Sequence, residues 1–134
     1  MPAKQQKRSS NSVKVRYLDG PEVIRRLKSI AKELYRKNDN ILGIYLFGSL
    51  AKGIYAPGSD ADILIILKQD NRRIIDRITG FLKFFLDSPI DIDIFPYTKE
   101  ELQRMMSDKN SFLMRAWKEK VKLVEKNYDY LSSE

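Results

Sequence analysis

Asp60 and Asp62 stand two residues apart at the mouth of an apolar run, ADILIIL at residues 61–67. A run this apolar marks a strand buried on both faces. An unpaired carboxylate at such a place is costly or takes up a proton, so positive charge is expected beside the pair. Strand residues i and i+2 project from the same face, with Cα atoms roughly 6.5 Å apart at about 3.3 Å of rise per residue. Two carboxylates so spaced can converge on one magnesium ion, or on two ions about 3.5–4 Å apart. Asp91 and Asp93 repeat the spacing in I-D-I-D-I. If their strand lies beside the first, three carboxylates can surround two ions. In-line phosphoryl or nucleotidyl transfer needs that arrangement.

Gly48-Ser49 supplies a second element, directly after the apolar residues 41–47. Glycine lets backbone approach a phosphate, and N–H groups at the start of a following helical turn can bind the anion. Two other phosphate loops are excluded. Residues 48–53 have the Walker glycine spacing, but Ile54 stands where lysine is required, and there is no G-x-G-x-x-G.

Composition narrows the chemistry further. Cysteine and histidine are both absent from the 134 residues, which removes disulfides, thiolate nucleophiles, imidazole bases and the common zinc ligands. A metal must then be held by oxygen, which favours magnesium or manganese. A general base must be a carboxylate, lysine or tyrosine. The formal charge of +7 suits acidic partners, yet Lys4, Lys7 and Arg8 of the amino-terminal stretch contribute to it, leaving the rest mildly basic. No apolar run approaches the roughly 18 residues of a membrane span, and the N-terminus lacks the apolar core of a secretory signal. A cytoplasmic location and no membrane partner are expected.

The elements that must position these residues follow from periodicity. Residues 1–12 are polar and basic and are expected to form a disordered tail, residues 13–126 one domain, and residues 127–134 a frayed end. Asp19-Gly20-Pro21 opens a helix to about residue 37, with Val23, Ile24, Leu27, Ile30, Ala31 and Leu34 on one face. Residues 41–47 and 62–67 read as strands. Residues 72–86 return to helical spacing, with Ile74, Ile75, Ile78, Phe81, Leu82, Phe85 and Leu86 apolar and the aromatics among them expected in the core. Residues 90–95 alternate as a strand. Thr98 and Glu101 form a capping box for the next helix. Another helix is expected over 111–120 and a short strand over 121–124. The whole is an α/β (α+β) sandwich with a small mixed sheet flanked by helices.

Taken together, G48-S49-L-A-K52-G53, then S59-D60-A-D62 before an apolar strand, resemble the signature of the nucleotidyltransferase superfamily that includes DNA polymerase β. The likeness is strongest to its small prokaryotic members, the minimal nucleotidyltransferases, and D93-I-F-P-Y-T-K-E-E-L resembles their third-carboxylate strand and following helix. The resemblance implies that Gly48 and Ser49 bind the triphosphate, with Lys52 and Ser59 also on the nucleotide side. It implies that Asp60 and Asp62 hold magnesium, manganese being the substitute. The third carboxylate, assigned to Asp93, would help bind metal and activate the acceptor hydroxyl; Asp91 fits the same pattern. It further implies ATP or another nucleoside triphosphate as substrate. The acceptor would be a second protein, a helical partner of the HEPN type in a toxin–antitoxin pair, or would be held between subunits of a homo-oligomer.

Plainer readings stand beside these. Asp60 follows Pro57-Gly58-Ser59 and fits an Asx turn; Asp91 and Asp93 fit the wet side of a one-sided strand; Ser49 fits a helix cap. At the level of function, the rivals are a catalytically silent module of the same fold that acts by contact, and a nucleic-acid end-modifying enzyme. No nucleic-acid-reading motif supports the latter.

Overall fold

Two strands with almost no polar residues can only be satisfied at the centre of a sheet covered on both faces, and that is where they lie. In the computed structural model, which describes residues 19–53, 58 and 60–126, β1 (Ile41–Phe47) is buried along its whole length and pairs antiparallel with β2 (Ala61–Leu67). The expected tail over 1–12, the expected frayed end over 127–134 and Ser59 fall outside the described residues. Together with β3 (Ile92–Thr98) and β4 (Val121–Glu125) these strands make a mixed sheet of order β3-β2-β1-β4, with β2 and β3 parallel.

One face is covered by α1 (Gly20–Lys37) and α2 (Ile74–Leu82). The stripe Val23, Leu27, Ala31, Leu34 of α1 packs with Ile44, Leu46, Ile63, Ile65, Phe81 and Phe85. Asp19 caps α1, its carboxylate accepting from the Glu22 N–H at 2.8 Å. The other face is covered by α3 (Lys99–Ser107) and α4 (Ser111–Glu119), whose Leu102, Leu113 and Ala116 meet Leu42, Tyr45, Leu64 and Ile66. Both halves of the Thr98/Glu101 capping box are formed.

Two elements depart from the periodicity. The third strand begins at Ile92 and continues through Pro96 to Thr98, because β3 lies at the rim of the sheet, where proline is tolerated. The helix expected over 72–86 is shorter, closing at Leu82 into a 3-10 turn over Lys83–Phe85. The apolar residues there are too many for one stripe: Phe81 and Phe85 are buried, whereas Ile74, Ile75, Leu82 and Leu86 face solvent.

Arg77 is the one basic side chain among the described residues that is fully buried. It donates to Glu101 at 2.7 and 3.0 Å, and to the carbonyls of Pro96, Asp70 and Arg72 at 2.9–3.1 Å. Those hydrogen bonds hold the Glu101 carboxyl below its usual range. A depressed carboxyl stabilises the fold above its unfolded value of 4.5, and that stabilisation disappears as pH falls through the lower folded value. Arg77→Met leaves the part-buried Glu101 and three carbonyls without their donor, and is expected to cost about 2 kcal/mol in urea unfolding at pH 7. The difference from wild type should shrink below about pH 4, where Glu101 is neutralised in the unfolded chain.

Candidate active site

The register of β2 against its neighbours assembles the acidic cluster. Asp62 is directly opposite Asp93 on the parallel strand β3 and opposite Phe47, the last residue of β1. Asp60 precedes β2 and is exposed; Asp62 is half-buried; Asp93 is exposed. Burial, then the charges of Asp93 and Asp60, push the Asp62 carboxyl above its ordinary value. Asp91, which alternation alone could not separate from Asp93, lies just before β3, and its carbonyl accepts the Ala61 N–H at 2.8 Å. Asp91 therefore fixes the strand start, while Asp93 faces Asp62.

The chain then turns sharply at Gly48, which has φ +85°. A Cβ at this position would lie 2.4 Å from Asp62 Oδ2. The missing side chain is thus what lets the turn come up against the carboxylate. Ser49 is exposed, and the turns continue with Lys52 N–H to the Gly48 and Ser49 carbonyls and Gly53 N–H to Leu50. The N–H groups of Ser49, Leu50 and Ala51, which open these turns, find no backbone acceptor among the described residues. N–H groups left without a backbone acceptor at a turn are of the kind that can bind an anion.

Do these residues fit a divalent cation? The donor set is oxygen only, the half-buried Asp62 has no basic partner within salt-bridge distance among the described residues, and two further carboxylates bear on it. Those features suit a hard cation. Among the described residues, no three acidic side chains are drawn together into a ready-made cage.

Beside the turn opens a cleft of about 380 Å³, lined by Phe47, Gly48 and Lys52 on one side and by Ser111, Phe112, Arg115, Ala116 and Glu119 of α4 on the other. Lys52 reaches across it to Glu119 Oε2 at 3.4 Å. Phe112 packs against Phe47 and Phe95 with ring centroids 5.6 and 5.3 Å away. Sequence reasoning read residues 111–120 as a helix and assigned them no role. The signal was the spacing 112, 115, 116, 119, one face of a helix, which becomes informative only once that face is known to meet Gly48.

A strand-turn-strand unit with Gly-Ser and Asp-x-Asp, a third acid on the parallel neighbour and helices on both faces together define the nucleotidyltransferase fold. Residues 24–131 match the family model described as a nucleotidyltransferase domain, and the chain belongs to that family. Among solved structures, a candidate nucleotidyltransferase from Sulfolobus solfataricus is similar at 22% identity and TM-score 0.58, over 87% of this chain and 88% of that one. A toxin–antitoxin crystallised with AMP-PNP is similar at 20% identity and TM-score 0.52, over 79% and 82%. The toxin–antitoxin MntA–HpeT, in a mutant with two aspartates two residues apart changed to glutamate, gives 18% and 0.50, over 79% and 81%. At these identities the likeness is one of fold. No curated protein matches the sequence significantly. No helix among the described residues is long and apolar enough to cross a membrane.

Proposed function

We propose that the chain is a magnesium-dependent nucleotidyltransferase that moves AMP from ATP onto a hydroxyl of a helical partner protein of a toxin–antitoxin pair. The observation that carries this reading is the Asp62–Asp93 register pair set against the Cβ-less turn at Gly48. Two toxin–antitoxin neighbours, one of them with AMP-PNP, support the nucleotide and the partner.

Asp60 and Asp62, with Asp93, would hold the ion. When bound, magnesium or manganese supplies Lewis-acid polarisation of the phosphate and charge neutralisation on the leaving oxygens. The chain's own groups do the rest. The N–H groups following Gly48, together with the Ser49 hydroxyl, seat the triphosphate, and Ser59 and Lys52 add contacts on the nucleotide side. Asp93, exposed at the rim, accepts the proton of the acceptor hydroxyl. The acceptor oxygen bonds to the α-phosphorus, the α–β bridging P–O bond breaks, and pyrophosphate leaves.

The test is titration calorimetry of ATP with and without magnesium, followed by incubation of the chain and its co-expressed partner with α-labelled ATP. Binding is expected only with the divalent ion, and label should pass to the partner. ATP heats that are the same without metal and after Asp60→Ala with Asp62→Ala would overturn the reading. Partner binding that survives both substitutions, with no label transferred, would mark a contact-only module.

A further inference from the structure

We infer that the cleft between the Gly48 turn and α4 is the nucleobase subsite, with Phe112 as the stacking surface. The inference rests on the nucleotidyltransferase reading and adds to it the residues that hold the base. Phe112 is 41% exposed on a helix that buries Leu113 and Ala116; Met114 is exposed too, but it does not line the cleft. Phe47 meets its ring edge-on, with the planes at 76°, and Phe95 packs against it at a tilt of 42°. A ring held from one side and open on the other is a platform. Ala116, one turn further along, is small and keeps the slot open beside it.

The cleft shares Gly48 and Lys52 with the turn that would seat the triphosphate, so ribose and base have this space to enter. Its volume is that of a small-molecule site, and it is apolar at Phe47 and Phe112 with polar groups at its borders. Arg115 stands three residues from Phe112 on the same face, with no acidic partner among the described residues. Ser111 and Glu119 supply a hydroxyl and a carboxylate. Base–aromatic stacking tolerates any base, so Phe112 gives affinity for a nucleotide over a bare triphosphate, while discrimination falls to the polar border.

The experiment compares two probes in magnesium buffer, ATP and inorganic triphosphate, on wild type, Phe112→Leu and Phe112→Tyr. Phe112→Leu is expected to weaken ATP about tenfold, within the range for losing one stacked base, and to leave inorganic triphosphate unchanged. Phe112→Tyr should bind ATP as wild type does. Equal weakening of both probes means a structural role and overturns the inference. So does unchanged ATP affinity in Phe112→Leu, including the case in which only the KM for the protein acceptor rises, which would make the cleft the acceptor's. Wild type that binds neither probe defeats the nucleotidyltransferase reading itself, a failure distinct from wild type that binds both equally well.

Discussion

Asp62→Asn should yield a folded chain with roughly a thousandfold lower turnover, the loss expected when several kcal/mol of metal-borne transition-state stabilisation goes. Asparagine keeps the shape of aspartate and removes one negative charge. The stability effect has the opposite sign. A carboxyl raised in the fold favours folding fully only below its unfolded value of 3.8, and that contribution is lost as pH rises through the folded value. At pH 7 without metal, Asp62 is thus a charged group held among Asp93 and Asp60, and its neutral replacement relieves the repulsion. Thermal melts at pH 7 in chelator should place the variant's Tm at or above that of wild type. Added magnesium should raise the Tm of wild type, since a ligand of the native state stabilises it by mass action, and leave the variant where it was. A clear fall in the chelated Tm of Asp62→Asn would mean that the carboxylate is structural.

Gly48→Ala should damage the site by displacement rather than by charge. The substitution carries two separable costs. One is backbone strain, because φ +85° is left-handed and an L side chain loses about 1–2 kcal/mol there. The other is collision: the new methyl meets Asp62 Oδ2 at 2.4 Å and Cγ at 3.4 Å, so the carboxylate has to move. A shift of that kind at a reacting centre costs on the order of a hundredfold in rate. Gly53 provides the control. It too has φ +85°, yet a Cβ there meets nothing within 4 Å among the described residues. Gly53→Ala should therefore lose a similar amount of stability while keeping nearly wild-type nucleotidyl transfer. Equal activity losses in the two variants would show that strain, not the displaced carboxylate, is responsible.

The fold was largely readable from the letters because its central strands are so apolar. Residues 41–47 and 61–67 admit no arrangement except a covered centre, and helical stripes on either side say what covers it. The Asp-x-Asp and Gly-Ser pairs were visible for a related reason: their polarity interrupts apolar strands where polarity is expensive. The assignment of the third carboxylate to Asp93 rested on the resemblance, because alternation does not separate it from Asp91. Both share a face by alternation, and only the pairing of Asp62 with Asp93, set by the Ala61–Asp91 hydrogen bond, separates them. The second helix was read too long for a similar reason. Seven apolar residues fit a helical period, but no letter says that the chain tightens into a 3-10 turn after Leu82. Phe112 stayed hidden because a half-exposed ring and a buried one look the same at helical spacing.

The rims of the sheet carry one more consequence. A bare strand at a rim is a template for strand addition by another chain, the route to domain swapping and fibres. On one rim, Pro96 has no N–H to offer, and its carbonyl already accepts from Arg77. On the other, β4 spans only five residues, carries the exposed Lys122, and ends at Glu125, which takes the Tyr45 hydroxyl. Both margins are thereby blunted against backbone zippering. A protein docking on this molecule would then find side chains rather than a long bare strand to add to, and self-templating is disfavoured in the same way.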